Sequence, residues 1–175
     1  MFEAGDCGVI LCGQVGRIRD EPALNAAMIT WHITEVSPPA TADGITTSRV
    51  WLTLDGVDFP CARWADLPMS VVGAAVAAYT NLLNGEGEVF SYFFEGSYYL
   101  YYRRVDADEP RVYIEANRDD DPDNPVSIAV GEVLLDQFRS ALASAVHELA
   151  NTLQGKPHTE EDMELVKRNQ AILAR

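Results

Sequence analysis

Between Leu67 and Asn84 the chain carries no charged residue, and Val71, Val72, Ala75, Val76, Tyr79, Leu82 and Leu83 spread around most of a helical circumference. A helix that is apolar nearly all round has to be buried, in a protein interior or in a bilayer. Gly73, Thr80, Asn81 and Asn84, with the shortness of the run, argue against a membrane span of about 20 residues. The stretch therefore predicts a helix lying against a sheet, with Asp66 as N-cap, Pro68 in the first turn and Asn84-Gly85 as a left-handed stop.

The next residues predict the sheet. Val89–Phe94 and Tyr98–Arg104 flank Gly96-Ser97, a two-residue turn signal, and Arg111–Ala116 reads as a third strand. Strand side chains alternate, so Phe90, Tyr92, Phe94, Tyr99, Tyr101 and Arg103 share one face. Val89, Ser91, Phe93, Tyr98, Leu100, Tyr102 and Arg104 share the other. A turn centred on Glu95-Gly96 would move the register by two and leave both faces intact. A four-residue loop, Asp106–Glu109, would add Val112 and Ile114 to the first face, and Arg111, Tyr113 and Glu115 to the second. On that register the first face is expected to be core, under the apolar helix. The second is expected to be an outer surface.

Upstream, Val9–Cys12 suggests a bent edge strand, and Met28–Val36 alternates as a half-buried strand with Ile29, Trp31 and Ile33 inward. Arg49–Leu54 places Val50, Leu52 and Leu54 inward, and Asp55-Gly56 turns the chain into Val57–Trp64. Downstream, an aspartate-rich loop, Arg118–Asn124, precedes a strand at Val126–Val130. Gly131 then precedes a second long helix that runs to about Leu153, with a stripe of Leu134, Phe138, Leu142, Ala145, Leu149 and Leu153. Thr159-Glu160-Glu161-Asp162 resembles a capping box and opens a final helix to about Ala174 that lacks a sustained stripe. The expected fold is one α+β domain over residues 1–175, an antiparallel sheet of six to eight strands packed on the apolar helix, with residues 157–175 loosely docked.

No catalytic set emerges. Asp119, Asp121 and Asp123 have the spacing of the first three ligands of a calcium loop, but Asn124 stands where glycine is needed and Val130 where the bidentate acid belongs. The histidines, His32, His147 and His158, have no partner at ligand spacing. Cys7 and Cys12 lack a second pair, and Cys61 after Pro60 reads as a buried, inert thiol. Gly13-Gln14-Val15-Gly16 lacks the lysine of a phosphate loop. No cofactor or metal is expected. There is no signal-peptide pattern, since Glu3 and Asp6 interrupt it, and the expected location is the cytoplasm.

What stands out is composition on the expected outer face. Phe93, Tyr98, Leu100, Tyr102, Arg104, Arg111 and Tyr113 combine tyrosine, arginine and apolar side chains in the manner of protein interfaces. Cover by the second long helix, making the face a second core, is the competing expectation. A net charge of −14 disfavours nucleic acid and anionic membrane surfaces and suits a basic protein partner.

Trp64-Ala65-Asp66-Leu67-Pro68 before an apolar helix, then an aromatic strand, Phe94-Glu95-Gly96-Ser97-Tyr98 and a second aromatic strand, resembles small acidic immunity proteins of bacterial polymorphic toxin systems. The resemblance covers about residues 58–116. It implies a cytoplasmic protein that neutralises a toxin domain by binding it, without catalysis or cofactor, and it transfers no functional residue. Two alternatives stay open. One is a structural homo-oligomer, such as a homodimer, through the same face. The other is a small-ligand binder or enzyme with a pocket between sheet and helix, lined by His32, Tyr92 and Tyr101.

Overall fold

Two antiparallel four-stranded sheets and three helices make up an α+β fold in the computed structural model, which describes residues 26–105, 108–120 and 125–175. The expected strand at Val9–Cys12, and Cys7 and Cys12, lie outside the described residues, as do Asp121 and Asp123. Sheet A holds β1 (Ile29–Ser37), β2 (Thr47–Leu54), β3 (Val57–Phe59) and the two-residue β4 (Ala65–Asp66). The expected single strand Val57–Trp64 is thus broken. The chain leaves the sheet at Pro60, which has no N–H to continue the ladder, and returns at Ala65 to pair with Arg49. Cys61 lies in that excursion and is exposed, not the buried thiol that its neighbours suggested.

Sheet B runs β5 (Glu88–Tyr92), β6 (Tyr98–Val105), β7 (Arg111–Arg118) and β8 (Val126–Leu134) in sequence order. Strand β8 is longer than its apolar run predicts because Gly131 does not end it. A Cβ there would lie 2.8 Å from the Cβ of Ala27, and the Ala27 amide donates to the Glu132 carbonyl at 2.7 Å. Glycine lets the chain ahead of β1 close against the β8 edge, so that the two sheets meet at a corner.

Helix α1 (Pro68–Leu83) forms where the charge-free run predicts and ends at Asn84 with Gly85 at φ +96°. Its N-cap is Leu67, without a side-chain cap bond, and not Asp66. It packs against β5, β2 and β6 and against both other helices. Helix α2 (Leu135–Leu153) buries Phe138, Leu142, Ala145, Val146, Leu149 and Leu153 against β1, β7, β8, α1 and α3. Helix α3 (Glu160–Leu173) buries Val166 and Leu173 against α1 and α2. Thr159 precedes α3, but its hydroxyl donates to the carbonyls of Leu153 and Lys156 at the end of α2 instead of capping α3.

The inner faces of the two sheets share one core. Trp31, Ile33, Val50, Leu52, Leu54 and Phe59 come from sheet A, and Val89, Phe93, Leu100, Tyr102, Val112 and Ile114 from sheet B. Phe93 stacks on Trp31 at 6.4 Å and meets the edge of Phe59 at 5.4 Å. The expected orientation of the β5–β7 hairpins is therefore reversed. Tyr92 pairs with Tyr99, the register of the Glu95-Gly96 turn, which preserves the two faces. Val105, however, pairs with Arg111, so the β6–β7 loop spans five residues, not four. One residue of slip exchanges every side chain of β7 between faces. It sets Ile114 opposite Tyr102 and Ala116 opposite Leu100, making that face the apolar one, and α2 covers it.

Candidate interaction surface

The seven residues expected on an outer face separate into three groups. Phe93, Leu100 and Tyr102 are core, and Tyr102 is fully buried beneath Phe138. Tyr98 is half-buried between Phe59 and Trp64, with ring centroids 5.7 and 5.1 Å away. Arg104 shares the inward face of β6 but emerges near the end of the strand and is exposed. Only Arg111 and Tyr113 belong to the solvent side of sheet B, where register sets Arg111 opposite Val105 and Tyr113 opposite Arg103.

That solvent side is rich in aromatic side chains. One row across the strands reads Glu88, Arg103, Tyr113, Glu132, and the next Phe90, Tyr101, Glu115, Val130; Tyr92 and Tyr99 begin a third. Phe90, Tyr92 and Phe94 are 51%, 63% and 64% exposed, and Val130 is 52% exposed. These rings touch each other. Phe90 lies 5.2 Å from Tyr101 and 6.1 Å from Tyr99, Tyr92 lies 5.9 Å from Tyr99, and Tyr101 meets Tyr113 edge-on at 6.3 Å. The Arg103 guanidinium sits over the Tyr113 ring, 5.2 Å from its centre.

Carboxylates hold the hydroxyls of this layer. Tyr113 donates to Glu115 at 3.3 Å, and Glu88 lies beside Tyr101. Partial burial, with Glu88 beside Tyr101, Glu115 beside Tyr113 and Asp119 near Tyr99, raises all three phenol pKa values above their usual range. The tyrosines are therefore neutral donors at any physiological pH. Contiguous exposed aromatic side chains with an arginine and carboxylates around them have the chemistry of a contact surface, and a continuous apolar patch of this kind is uncommon on a monomer. The signal was in the sequence: the same alternation that set aside Phe90, Tyr92, Tyr99 and Tyr101 as a face identifies the surface once the β7 register is known.

The groups weighed for catalysis are dispersed. His32 lies on the outward face of sheet A, stacked on Trp51 at 4.6 Å, whereas Tyr92 and Tyr101 lie on the outward face of sheet B. The structure does not bring the three into a common pocket. His32 Nε2 is 2.8 Å from Thr53 Oγ1, and that hydroxyl gives its one proton to Asp58. Thr53 is thus a donor to a carboxylate and not a nucleophile facing a base. A groove of about 770 Å³ beside β2 is lined by Arg49, Arg63, Glu35 and Cys61, but Glu35 already pairs with both guanidinium groups. Among the described residues no three His, Cys, Asp or Glu side chains gather at metal-binding distance, and no helix is long and apolar enough to cross a membrane.

Comparison of the chain with protein-family models, with curated proteins and with solved structures finds no match.

Proposed function

We propose that this is a non-catalytic protein-binding domain whose contact surface is the outward aromatic face of β5–β7, with Tyr101 and Tyr113 at its centre. The observation that carries the reading is the mutual contact of Phe90, Tyr92, Tyr99, Tyr101 and Tyr113 on the solvent side of the sheet, covered by no element among the described residues. Burying such side chains against a partner removes apolar area from water at little cost in side-chain freedom, because neighbouring rings already restrict them. The net charge of −14 favours a basic partner and gives association that weakens as salt rises. A toxin domain neutralised by direct binding is the partner that the likeness to immunity proteins implies. The location proposed with it is the cytoplasm.

The test uses the purified chain as bait in lysate of its native cell, beside the double variant Tyr101→Ala/Tyr113→Ala. A protein retained by the parent at low salt, released by high salt and lost by the variant supports the reading, provided that the variant keeps its fold by circular dichroism. Equal retention by both proteins, or none by the parent, overturns it.

A further inference from the structure

Among the described residues strand β5 is an open edge of sheet B, and its ladder shows which of its groups no described residue meets. The Phe93 amide donates to the Tyr98 carbonyl and the Arg104 amide to the Gly87 carbonyl, so the odd residues of β5 face β6. By the alternation of an antiparallel ladder, the N–H and C=O groups of Glu88, Phe90 and Tyr92 point away from the sheet. Native edges are usually blunted by proline, lysine, a bulge or a covering element. The opposite edge, β8, follows that rule, with Ala27 closing on Glu132 and a bulge that leaves Ile128 unpaired opposite Ala116 and Asn117. Strand β5 has regular register, no proline and no lysine.

Beside this edge runs a groove of about 430 Å³ between Phe90–Phe94 and the outward stripe Ser70, Ala74, Ala77 and Asn81 of α1. An outward helix stripe without one charged residue is unusual, and its small side chains leave room for a neighbouring backbone.

We infer that the β5 edge pairs with β5 of a second copy about a two-fold axis at Phe90, giving a dimer with one continuous eight-stranded sheet. The side chains are self-complementary in that register. Phe90 faces Phe90 and Glu88 faces Tyr92, so within the strand no acid opposes an acid although each chain carries a net charge of −14. The outward groups of Glu88, Phe90 and Tyr92 then all meet partners, because the even residues of each strand lie opposite even residues of the other. Phe90 and Tyr92 of both copies also share one side of the joined sheet, so the aromatic surface becomes continuous across the axis. Repulsion between two acidic chains makes the dimer tighten as salt rises, opposite to a contact with a basic partner.

Sedimentation equilibrium of the parent across micromolar concentrations, at low and high salt, is expected to show a monomer–dimer equilibrium that salt strengthens. At a two-fold axis a residue meets its own copy. Phe90→Lys and Phe90→Glu are each expected to raise the dissociation constant on the order of a hundredfold, and an equimolar mixture of the two to associate again. Phe90 is half exposed, so both variants are expected to fold, and circular dichroism checks that they do. A parent that stays monomeric, a dimer indifferent to both substitutions, or a mixture that does not re-associate overturns the inference. The inference goes beyond the partner-binding reading. A monomeric parent that loses its captured protein on Tyr101→Ala/Tyr113→Ala would sink the dimer alone, and a dimer that captures nothing would sink only the other.

Discussion

Tyr102 of β6 lies stacked on Phe138 of α2, with ring centroids 5.3 Å apart and planes 26° from parallel. Phe138 in turn receives Tyr79 of α1 edge-on at 5.9 Å, so one aromatic column joins the sheet to two helices. The Tyr102 hydroxyl is 3.0 Å from Ser91 Oγ in a dry interior. Truncation by Tyr102→Ala is expected to cost about 3–5 kcal/mol, as for other large buried aromatics. Tyr102→Phe keeps the column but strands the Ser91 hydroxyl, at a cost of about 1–2 kcal/mol. Urea unfolding of the two variants checks both the sizes and their order.

The same phenol gives the fold an alkaline limit. Burial pushes the Tyr102 pKa far above its ordinary range, and burial also raises that of Tyr79. The raised folded-state values mean that the native chain holds these protons more tightly than the unfolded chain does. The associated stability is fully present below the unfolded pKa of about 10 and is lost as pH rises from there toward the folded values. The melting temperature is expected to fall above that point, and to fall less steeply in Tyr102→Phe. Parallel slopes for parent and variant would show that other groups set the limit.

The corner between the sheets depends on the absence of a side chain. Gly131→Ala would set a methyl group 2.8 Å from Ala27 Cβ and 3.2 Å from Leu54 Cδ1. Leu54 is fully buried, and Ala27 is held by its hydrogen bond to Glu132. Overpacking of this kind costs about 1–3 kcal/mol. Thermal melts of Gly131→Ala and of the double variant Gly131→Ala/Ala27→Gly test it, and the second substitution is expected to restore part of the loss.

Much of this architecture is legible in the sequence, and the parts that are not have a common cause. Periodicity and absence of charge reveal α1 and α2, and the α+β class follows from the apolar alternation of β1, β2 and β5–β7, whereas the division of the strands into two sheets of four does not. Local pattern also sorts β5 and β6 into two faces. It cannot say which face meets the core, because both are aromatic: Phe90, Tyr92, Tyr99 and Tyr101 against Phe93, Leu100 and Tyr102. That choice rests on the number of residues between Val105 and Arg111, where five instead of four transfers Val112 and Ile114 to the other side. Loop length is a tertiary outcome, fixed by what α2 can cover. The break at Pro60 and the run of β8 through Gly131 are tertiary in the same way, since each reflects what lies across from the strand.

Asp66 shows how the fold holds the end of its aromatic surface. The residue is 4% exposed, and its carboxylate accepts three hydrogen bonds from three directions. Oδ1 accepts the Leu67 amide at 2.7 Å, and Oδ2 accepts the Trp64 indole at 3.2 Å and the Glu95 amide at 3.1 Å. The last contact ties the start of α1 to the β5–β6 turn, which carries Phe94. A buried carboxylate with several N–H donors is stable only while those donors remain, and the donors are equally orphaned without it. Asp66→Ala should therefore cost about 2–3 kcal/mol, since three partly buried donors lose their acceptor at once. Asp66→Asn keeps the shape, but either placement of its amide points an NH₂ group at an N–H donor, and a cost of about 1–2 kcal/mol is expected. In both variants the Glu95 amide should exchange with solvent faster relative to amides in the middle of β6, because its acceptor lies outside the ladder. Unfolding curves and hydrogen exchange measure the two effects separately. Parent-like protection at Glu95 in Asp66→Ala would mean that the turn is held by its own backbone, and that Asp66 serves only the Trp64 indole and the entry to α1.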